Sequence, residues 1–243
     1  MDAIERPTFE SDASRRIYEY VERNGTVKRN SLRDHVDLSA EEFGTHLEEL
    51  KTRGYLEEEG GTLQIALEFG AIEEYETDGL HFTVRPARQT DFDGLVETIR
   101  DVTAEETYVV AETIAEQLLY EQAVTRHNTV ESRVFFVATV DGEVVGWTHL
   151  DCPQVDQVQE VARQTVGVRE AYRGKGIGSK LLQRGLEWAE ANGYRKVYNS
   201  VPMTNDRALE FLTDHGWDTE AIRRDHYTID GEYVDEVMMA YSF

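Results

Sequence analysis

The sequence predicts an α+β protein: a mixed sheet with helices against it, preceded by a smaller unit of three helices and a hairpin. Three observations carry this expectation. Helical spacing dominates up to about residue 65, strands and helices alternate from Phe82 onward, and a glycine-rich segment at 173–178 opens an amphipathic helix directly after a strand. The chain has 243 residues, enough for two cores, and at 40% hydrophobic it is too apolar for a disordered acidic tail.

Charge narrows the function classes. There are 48 acidic residues against 25 basic ones, a net charge of −23, and only five of the basic residues are lysine. Scarce ammonium groups and abundant carboxylates read as the cytosolic protein of a halophile, whose self-repulsion is screened when the Debye length shrinks to about 3 Å near molar salt. Phosphate backbones should be repelled over most of such a surface. The start, MDAIERPTFE, lacks the basic end and apolar stretch of a signal peptide, and no apolar run reaches membrane-spanning length, so a cytoplasmic location is expected. The single cysteine, Cys152, allows no internal disulfide, and the seven histidines fall in no ligand-like spacing, so no metal is expected.

In the first unit, residues 12–23 place Ala13, Ile17 and Val21 on one face, and residues 28–36 place Leu32 and Val36 on another. Ser39-Ala40-Glu41-Glu42 is a capping box; Phe43, Leu47 and Leu50 follow at helical spacing, and Gly54 ends the run. Tyr55 to Ile65 reads as strand, turn, strand. Helix, helix, helix, hairpin over residues 1–67 resembles a winged helix-turn-helix domain. In a DNA reader the third helix brings basic or amide groups to the major groove, whereas here it carries Glu41, Glu42, Glu48 and Glu49, and the turn follows Glu57, Glu58 and Glu59. Residues 1–80 hold nine basic against twenty acidic side chains, which argues against DNA and for packing on the second domain or on a second copy in a homodimer. Residues 68–81 are expected to be a linker.

The second body, 82–243, begins with a short strand, FTVRPA. Helices follow at Asp91–Arg100 and Ala111–Val124, then a hairpin around Asp141-Gly142 and a strand over Glu160–Val168. A helix from Ile177 turns Leu181, Leu182, Leu186 and Ala189 inward and stops at Asn192-Gly193. Lys196–Val201 reads as strand, Asn205–His215 as helix, and Asp218–Ile229 and Tyr233–Tyr241 as strands.

Arg173-Gly174-Lys175-Gly176-Ile177-Gly178 lies between strand and helix, where backbone N–H groups converge on a site suited to a pyrophosphate. The Walker spacing is absent, and the third glycine of a dinucleotide fingerprint would fall at Ser179. The segment VREAYRGKGIG resembles the acetyl-CoA loop of the GNAT superfamily of N-acyltransferases, Gln/Arg-x-x-Gly-x-Gly/Ala. The resemblance extends over residues 82–243 in element order. It also includes NDRALEFLTDHGW, which looks like the family's Asn-x-x-Ala-x-x-Phe-Tyr-x-x-x-Gly-Phe through Asn205, Ala208, Phe211, Gly216 and Trp217.

The resemblance implies a GNAT acyl-CoA N-acyltransferase fold and an acetyl-CoA-dependent N-acetyltransferase acting by direct attack of an amine on the thioester. It implies that the N–H groups of Arg173, Gly174, Lys175, Gly176, Ile177 and Gly178 hold the pyrophosphate, with main chain at Val166 and Val168 beside pantetheine. It also makes Val168 N–H the oxyanion donor and sets Asn205 on the pantetheine arm or on a water. Glu160, thirteen residues before the loop arginine, matches a glutamate base of some members; Asp156 or a water relay are alternatives. Where the family often has a tyrosine acid this chain has Leu212, leaving Tyr172, Tyr198 or water to protonate the thiolate.

Cys152, Trp147 and Trp217 read as core residues, and His149 with Asp151 as a hydrogen-bonded surface pair. The acceptor amine, from a small molecule or a peptide, is expected between Thr103–Arg126 and Asp225–Asp235, which contain Glu105, Glu106, Tyr108, Tyr227 and Tyr233. Two other readings stay open: an acyl-CoA-sensing transcription regulator, and a catalytically silent interaction protein.

Overall fold

Serine side chains start two of the first three helices. In a computed structural model that describes residues 7–67, 70–77, 79–105 and 109–243, the Ser11 side chain caps α1 (Asp12–Asn24). After β1 (Thr26–Lys28) and α2 (Arg29–His35), Ser39 and Glu42 close the expected capping box on α3 (Ala40–Thr52). The hairpin β2 (Leu56–Glu59) and β3 (Thr62–Ile65) completes the unit, and Ile17, Val21, Leu32, Phe43, Leu47, Leu50 and Leu63 form its core. The short strand β1 was not legible in the sequence: three residues carry no usable period, and it forms because β3 offers a second edge, giving the order β1-β3-β2.

The main sheet starts inside the segment expected as linker. β4 (Glu73–Thr77) pairs antiparallel with β5 (Leu80–Pro86), placing Tyr75 against Phe82, so residues 73–77 are an edge strand of the second body. Next come a 3-10 turn at Gln89–Asp91, then α4 (Phe92–Glu105), α5 (Val109–Glu121) and the short β6 (Arg126–His127). The hairpin β7 (Glu131–Val140) and β8 (Glu143–Pro153) leads into β9 (Val161–Val168). The remaining elements are α6 (Ile177–Ala191), β10 (Lys196–Pro202), α7 (Asp206–Asp214), β11 (Asp218–Ile229) and β12 (Glu232–Ser242).

The strand order is β11-β12-β10-β9-β8-β7-β5-β4, with β6 against β7. Alternation along β7 supplies both layers: Val134 and Phe136 face α6 and α7 with Leu182, Trp188 and Leu212, whereas Phe135 and Val137 face α4 and α5 with Ile99, Ile114 and Leu118. None of the helices among the described residues is long and apolar enough to cross a membrane.

The pair β9 and β10, joined through α6, is parallel, and it holds register only from Val161↔Lys196 to Arg163↔Tyr198. Beyond that point the strands diverge and line opposite sides of a cavity, which exists because β9 stays on β8 as far as Val168↔Gly146 while β10 follows β12 to Pro202↔Glu236.

The two units interlock. Tyr18 donates its hydroxyl to the His127 carbonyl at 2.6 Å, and the buried Glu22 of α1 accepts from Arg126 and from Asn128.

Candidate active site

The cavity has a volume of about 410 Å³ and is lined on one side by Thr165–Val168 and on the other by Asn199–Pro202. Arg173, Gly174, Gly176 and Gly178 close one end, and Asn205, Ala208 and Phe211 of the α7 region close another.

The β9 backbone is aimed by its pairing. Arg169 N–H bonds the Val145 carbonyl at 2.9 Å, so the antiparallel alternation turns the N–H groups of Val166 and Val168 away from β8 and into the opening. The Val168 carbonyl takes the Arg173 Nε–H at 2.8 Å. Gly167 admits no side chain, because a Cβ there would lie 2.1 Å from the Trp147 ring.

The glycine loop has the conformation its composition allows. Gly174 and Gly176 adopt φ of +74° and +80°, with open space where a Cβ would stand. Gly176 caps α6, whose first helical bond runs from Lys180 N–H to the Gly176 carbonyl at 3.1 Å. The N–H groups of Ile177, Gly178 and Ser179 therefore have no helical acceptor, and the positive end of the helix dipole faces the cavity. The Ile177 side chain is buried core and the Lys175 ammonium sits over the Tyr172 ring at 5.5 Å, so their contribution to this end is backbone.

Asn205 has two tasks. Its Oδ1 accepts from Ala208 N–H at 3.0 Å, capping α7, and its Nδ2 is buried without a protein partner in the cavity wall. His215 Nδ1 donates to the Phe211 carbonyl at 2.7 Å and its Nε2 hydrogen-bonds the Ser179 hydroxyl at 2.8 Å, which ties α7 to the start of α6.

Glu160 is a correction. It sits in the turn before β9, pairs with Arg195 at 3.4 Å and is 61% exposed. Eight residues of extended chain at roughly 3.3 Å each separate it from Val168 by about 26 Å, so counting backward from the loop lands at the far end of the sheet. Leu212 does line the cavity, and neither Tyr172 nor Tyr198 is among its lining residues.

The pairing of His149 with Asp151 is a second correction: Asp151 bonds Arg163 at 2.7 Å, and His149 is buried with no hydrogen-bond partner. On the expected acceptor side, Glu106, Tyr108 and the Glu105 side chain lie outside the described residues. Tyr227 donates to the buried Glu236 at 2.9 Å, Arg223 pairs with the same carboxylate at 3.0 Å, and burial with that carboxylate pushes the Tyr227 phenol well up. Tyr233 is 75% exposed. The sequence reading missed the β10 wall, Ser179, Phe211 as a lining residue and Glu236. The signal for the β10 wall was available, since the strands on either side of a loop-helix crossover are parallel neighbours.

The orphaned N–H groups, the unpartnered Asn205 amide and the open volume at two left-handed glycines fit a phosphorylated thioester donor. Residues 96–217 match the acetyltransferase (GNAT) family. An N-alpha-acetyltransferase of Sulfurisphaera tokodaii is 30% identical over 171 residues, covering 67% of this chain and 93% of the relative. The L-amino acid N-acetyltransferase AaaT of Escherichia coli is 28% identical over 106 residues, 43% of this chain and 65% of its own length.

A GNAT-family acetyltransferase of Streptococcus pneumoniae superposes with a TM-score of 0.56 at 21% identity, over 67% of this chain and 99% of that one. A Salmonella typhimurium protein solved with its cofactor acetyl-CoA gives 0.54 at 20% identity, over 66% and 93%. At such identities the fold is what is shared. The chain belongs to the GNAT acetyltransferase family, and its reaction is transfer of an acetyl group from acetyl-CoA to an amine nitrogen.

Proposed function

We propose that the opening between β9 and β10 is where the thioester and the amine meet, with α-amino groups of amino acids or peptides as acceptors. The observation that carries this reading is the divergence after Arg163↔Tyr198, which frees the N–H groups of Val166 and Val168 inside a cavity that also holds the Asn205 amide. The names of the two curated relatives, one acting on α-amino groups and one on L-amino acids, support the acceptor class.

In this reading the N–H groups of residues 174–178 and the α6 dipole bind the pyrophosphate, the Arg173 N–H being spent on the Glu170 carbonyl at 3.1 Å, and Val166 and Asn205 Nδ2 fix the pantetheine arm. Val168 N–H stabilises the oxyanion as the amine attacks. The thiolate leaves without a side-chain acid at Leu212, which a thiol of ordinary pKa, about 8.5, tolerates. Residues 1–67 form a winged-helix unit that serves as a docking element on the transferase body. Its third helix presents Glu41, Glu42 and Glu48, and Lys51 is tied to Glu58 at 3.1 Å, a charge pattern that disfavours DNA. The acidic surface suits a halophilic cytosol.

The test is calorimetric titration of acetyl-CoA in about 2 M KCl, where surface repulsion is screened. Saturable binding that vanishes in Gly176→Glu, followed by CoA release with peptide and amino acid acceptors, is the expected result. Folded protein that does not bind acetyl-CoA overturns the site, and binding with turnover only on amines that lack an α-carbonyl overturns the acceptor class.

A further inference from the structure

One stripe of α1 converges on the segment that ends α5. Tyr18, Glu22 and Gly25 stand at i, i+4 and i+7, on the same side of the helix. Tyr18 donates to the His127 carbonyl at 2.6 Å, and Glu22 accepts from Asn128 at 2.9 Å and from Arg126. Gly25, at φ of +69°, lies against Gln89, whose Oε1 would be 2.4 Å from an added Cβ. Gln89 in turn accepts the Val124 N–H at 3.0 Å and donates to the Gln122 carbonyl at 2.9 Å.

The end of α5 is held from outside the helix. Gln122, the residue that follows it, has φ of +57°, in the left-handed region that a non-glycine residue rarely adopts. Arg126 pairs with Glu121, the last residue of α5, at 3.2 Å. The buried Arg133 takes the same carboxylate at 2.7 Å and donates to the Ala123 carbonyl at 2.6 Å. Tyr18, Glu22 and Gly25 are thus the outer members of a network whose inner members fix where α5 stops.

The other end of α5 is cavity wall. Val110 and Ala111, in its first turn, line the opening. Ala111, Ile114, Ala115 and Leu118 pack with Phe135 and Val137 on the sheet face opposite the one that carries α6 and α7. Gly176 and Asn205 cap α6 and α7, so the groups assigned to acetyl-CoA stand on the far side of the opening from α5. The α5 wall faces whatever meets the thioester, and its thirteen residues span about 20 Å as one rigid rod.

We propose that residues 1–67, through Tyr18, Glu22 and Gly25, hold α5 where the acceptor amine lines up with the thioester, so that the first unit is a positioning element for acetyl transfer. The inference rests on the cavity being the reaction site. A misplacement of about 1 Å there can lower the rate about a hundredfold. Residues that act through packed neighbours change such a coupling by about twofold to thirtyfold.

The test uses the full chain in about 2 M KCl. Tyr18→Phe, Glu22→Gln and Gln89→Ala are compared with the parent by acetyl-CoA calorimetry, amide hydrogen exchange, and kinetics on a serine-starting tetrapeptide and L-alanine amide. Phe43→Leu, a change inside the core of the first unit, serves as the control for plain destabilisation. The three contact variants should lower kcat/KM for the acceptor about twofold to thirtyfold, with the Kd for acetyl-CoA within about twofold. Exchange should quicken over residues 109–124 and stay as in the parent over α6 and α7. The control should melt lower and keep its acceptor kcat/KM within about twofold.

Unchanged acceptor kcat/KM in the contact variants of a working parent overturns this inference alone. So does an equal loss in Phe43→Leu, or a loss of acetyl-CoA affinity that keeps pace with the acceptor effect. A folded parent that binds no acetyl-CoA overturns the cavity reading and this inference with it. If Glu22→Gln does not fold, Tyr18→Phe and Gln89→Ala, which leave every charge in place, still decide.

Discussion

The side chain of Arg173 reaches back over five residues to donate its Nε–H to the carbonyl of Val168, at 2.8 Å. One bond therefore couples the start of the glycine loop to the end of β9, fixing the distance between the groups assigned to the pyrophosphate and to the thioester oxygen. Lysine cannot reproduce a planar fork in this geometry. Arg173→Lys is expected to weaken acetyl-CoA binding about tenfold, or about 1.4 kcal/mol, with no change in fold by circular dichroism. Unaltered affinity by calorimetry would count against the coupling.

Gly167 is a packing requirement hidden in the same strand. With the Trp147 ring 2.1 Å from the point an added methyl group would occupy, Gly167→Ala forces either the indole or β9 to move. Overpacking of this kind costs about 1–3 kcal/mol. A measurable drop in melting temperature and a loss of kcat are both expected, because the shift moves Val166 and Val168.

Glu160→Gln should leave kcat within about twofold of the parent and stability within about 0.5 kcal/mol. The carboxylate is exposed, pairs with Arg195 across a surface turn, and lies a whole strand length from the cavity. A loss of kcat beyond tenfold would require the strand assignment to be wrong.

The interlock of the two units rests on a buried charge. Glu22 is 3% exposed and faces Arg126, so Glu22→Gln leaves a largely enclosed guanidinium to share Glu121, at 3.2 Å, with Arg133. Breaking a buried pair from one side costs about 3–5 kcal/mol when no other counter-charge is near, and a smaller loss is expected here. A much smaller loss after replacing Glu22 and Arg126 together, in a double-mutant cycle, would confirm that the cost is the stranded charge.

Cys152 supplies the pH prediction. Burial pushes its thiol up to about 12, against about 9 when unfolded. A raised folded value means that the native state holds the proton more tightly. The associated stability is complete below pH 9 and is lost as pH rises from 9 toward 12. Native protein at pH 8 should give no reaction with a thiol reagent, and full reaction on unfolding; Cys152→Ala should flatten the alkaline part of the stability curve.

Local chemistry made most of the architecture readable. The capping box at Ser39 and Glu42, the Asp141-Gly142 turn and the 3.6-residue stripes of α3 and α6 are short-range signals, and each produced the element expected from it. The glycine loop was readable for the same reason, since a left-handed backbone before a helix demands glycine whatever surrounds it. Asn205 was singled out through its motif; it lies in the cavity wall, with its amide nitrogen buried and unpartnered.

What failed depended on distance in space. Glu160 was placed by counting residues, and an extended strand converts eight of them into a separation no side chain bridges. β1 and β4 have weak patterns of their own and form because β3 and β5 offer unpaired edges. By itself the sequence determined the helix-and-hairpin unit, the α+β class and the glycine loop before α6, because propensity, turn chemistry and periodicity act between near neighbours. Only the tertiary structure decided where β9 and β10 part, that β10 and Thr165 line the opening, and that His149 is buried without a hydrogen-bond partner, because strand divergence and orphaned polar atoms arise from how distant segments are held against β8 and β12.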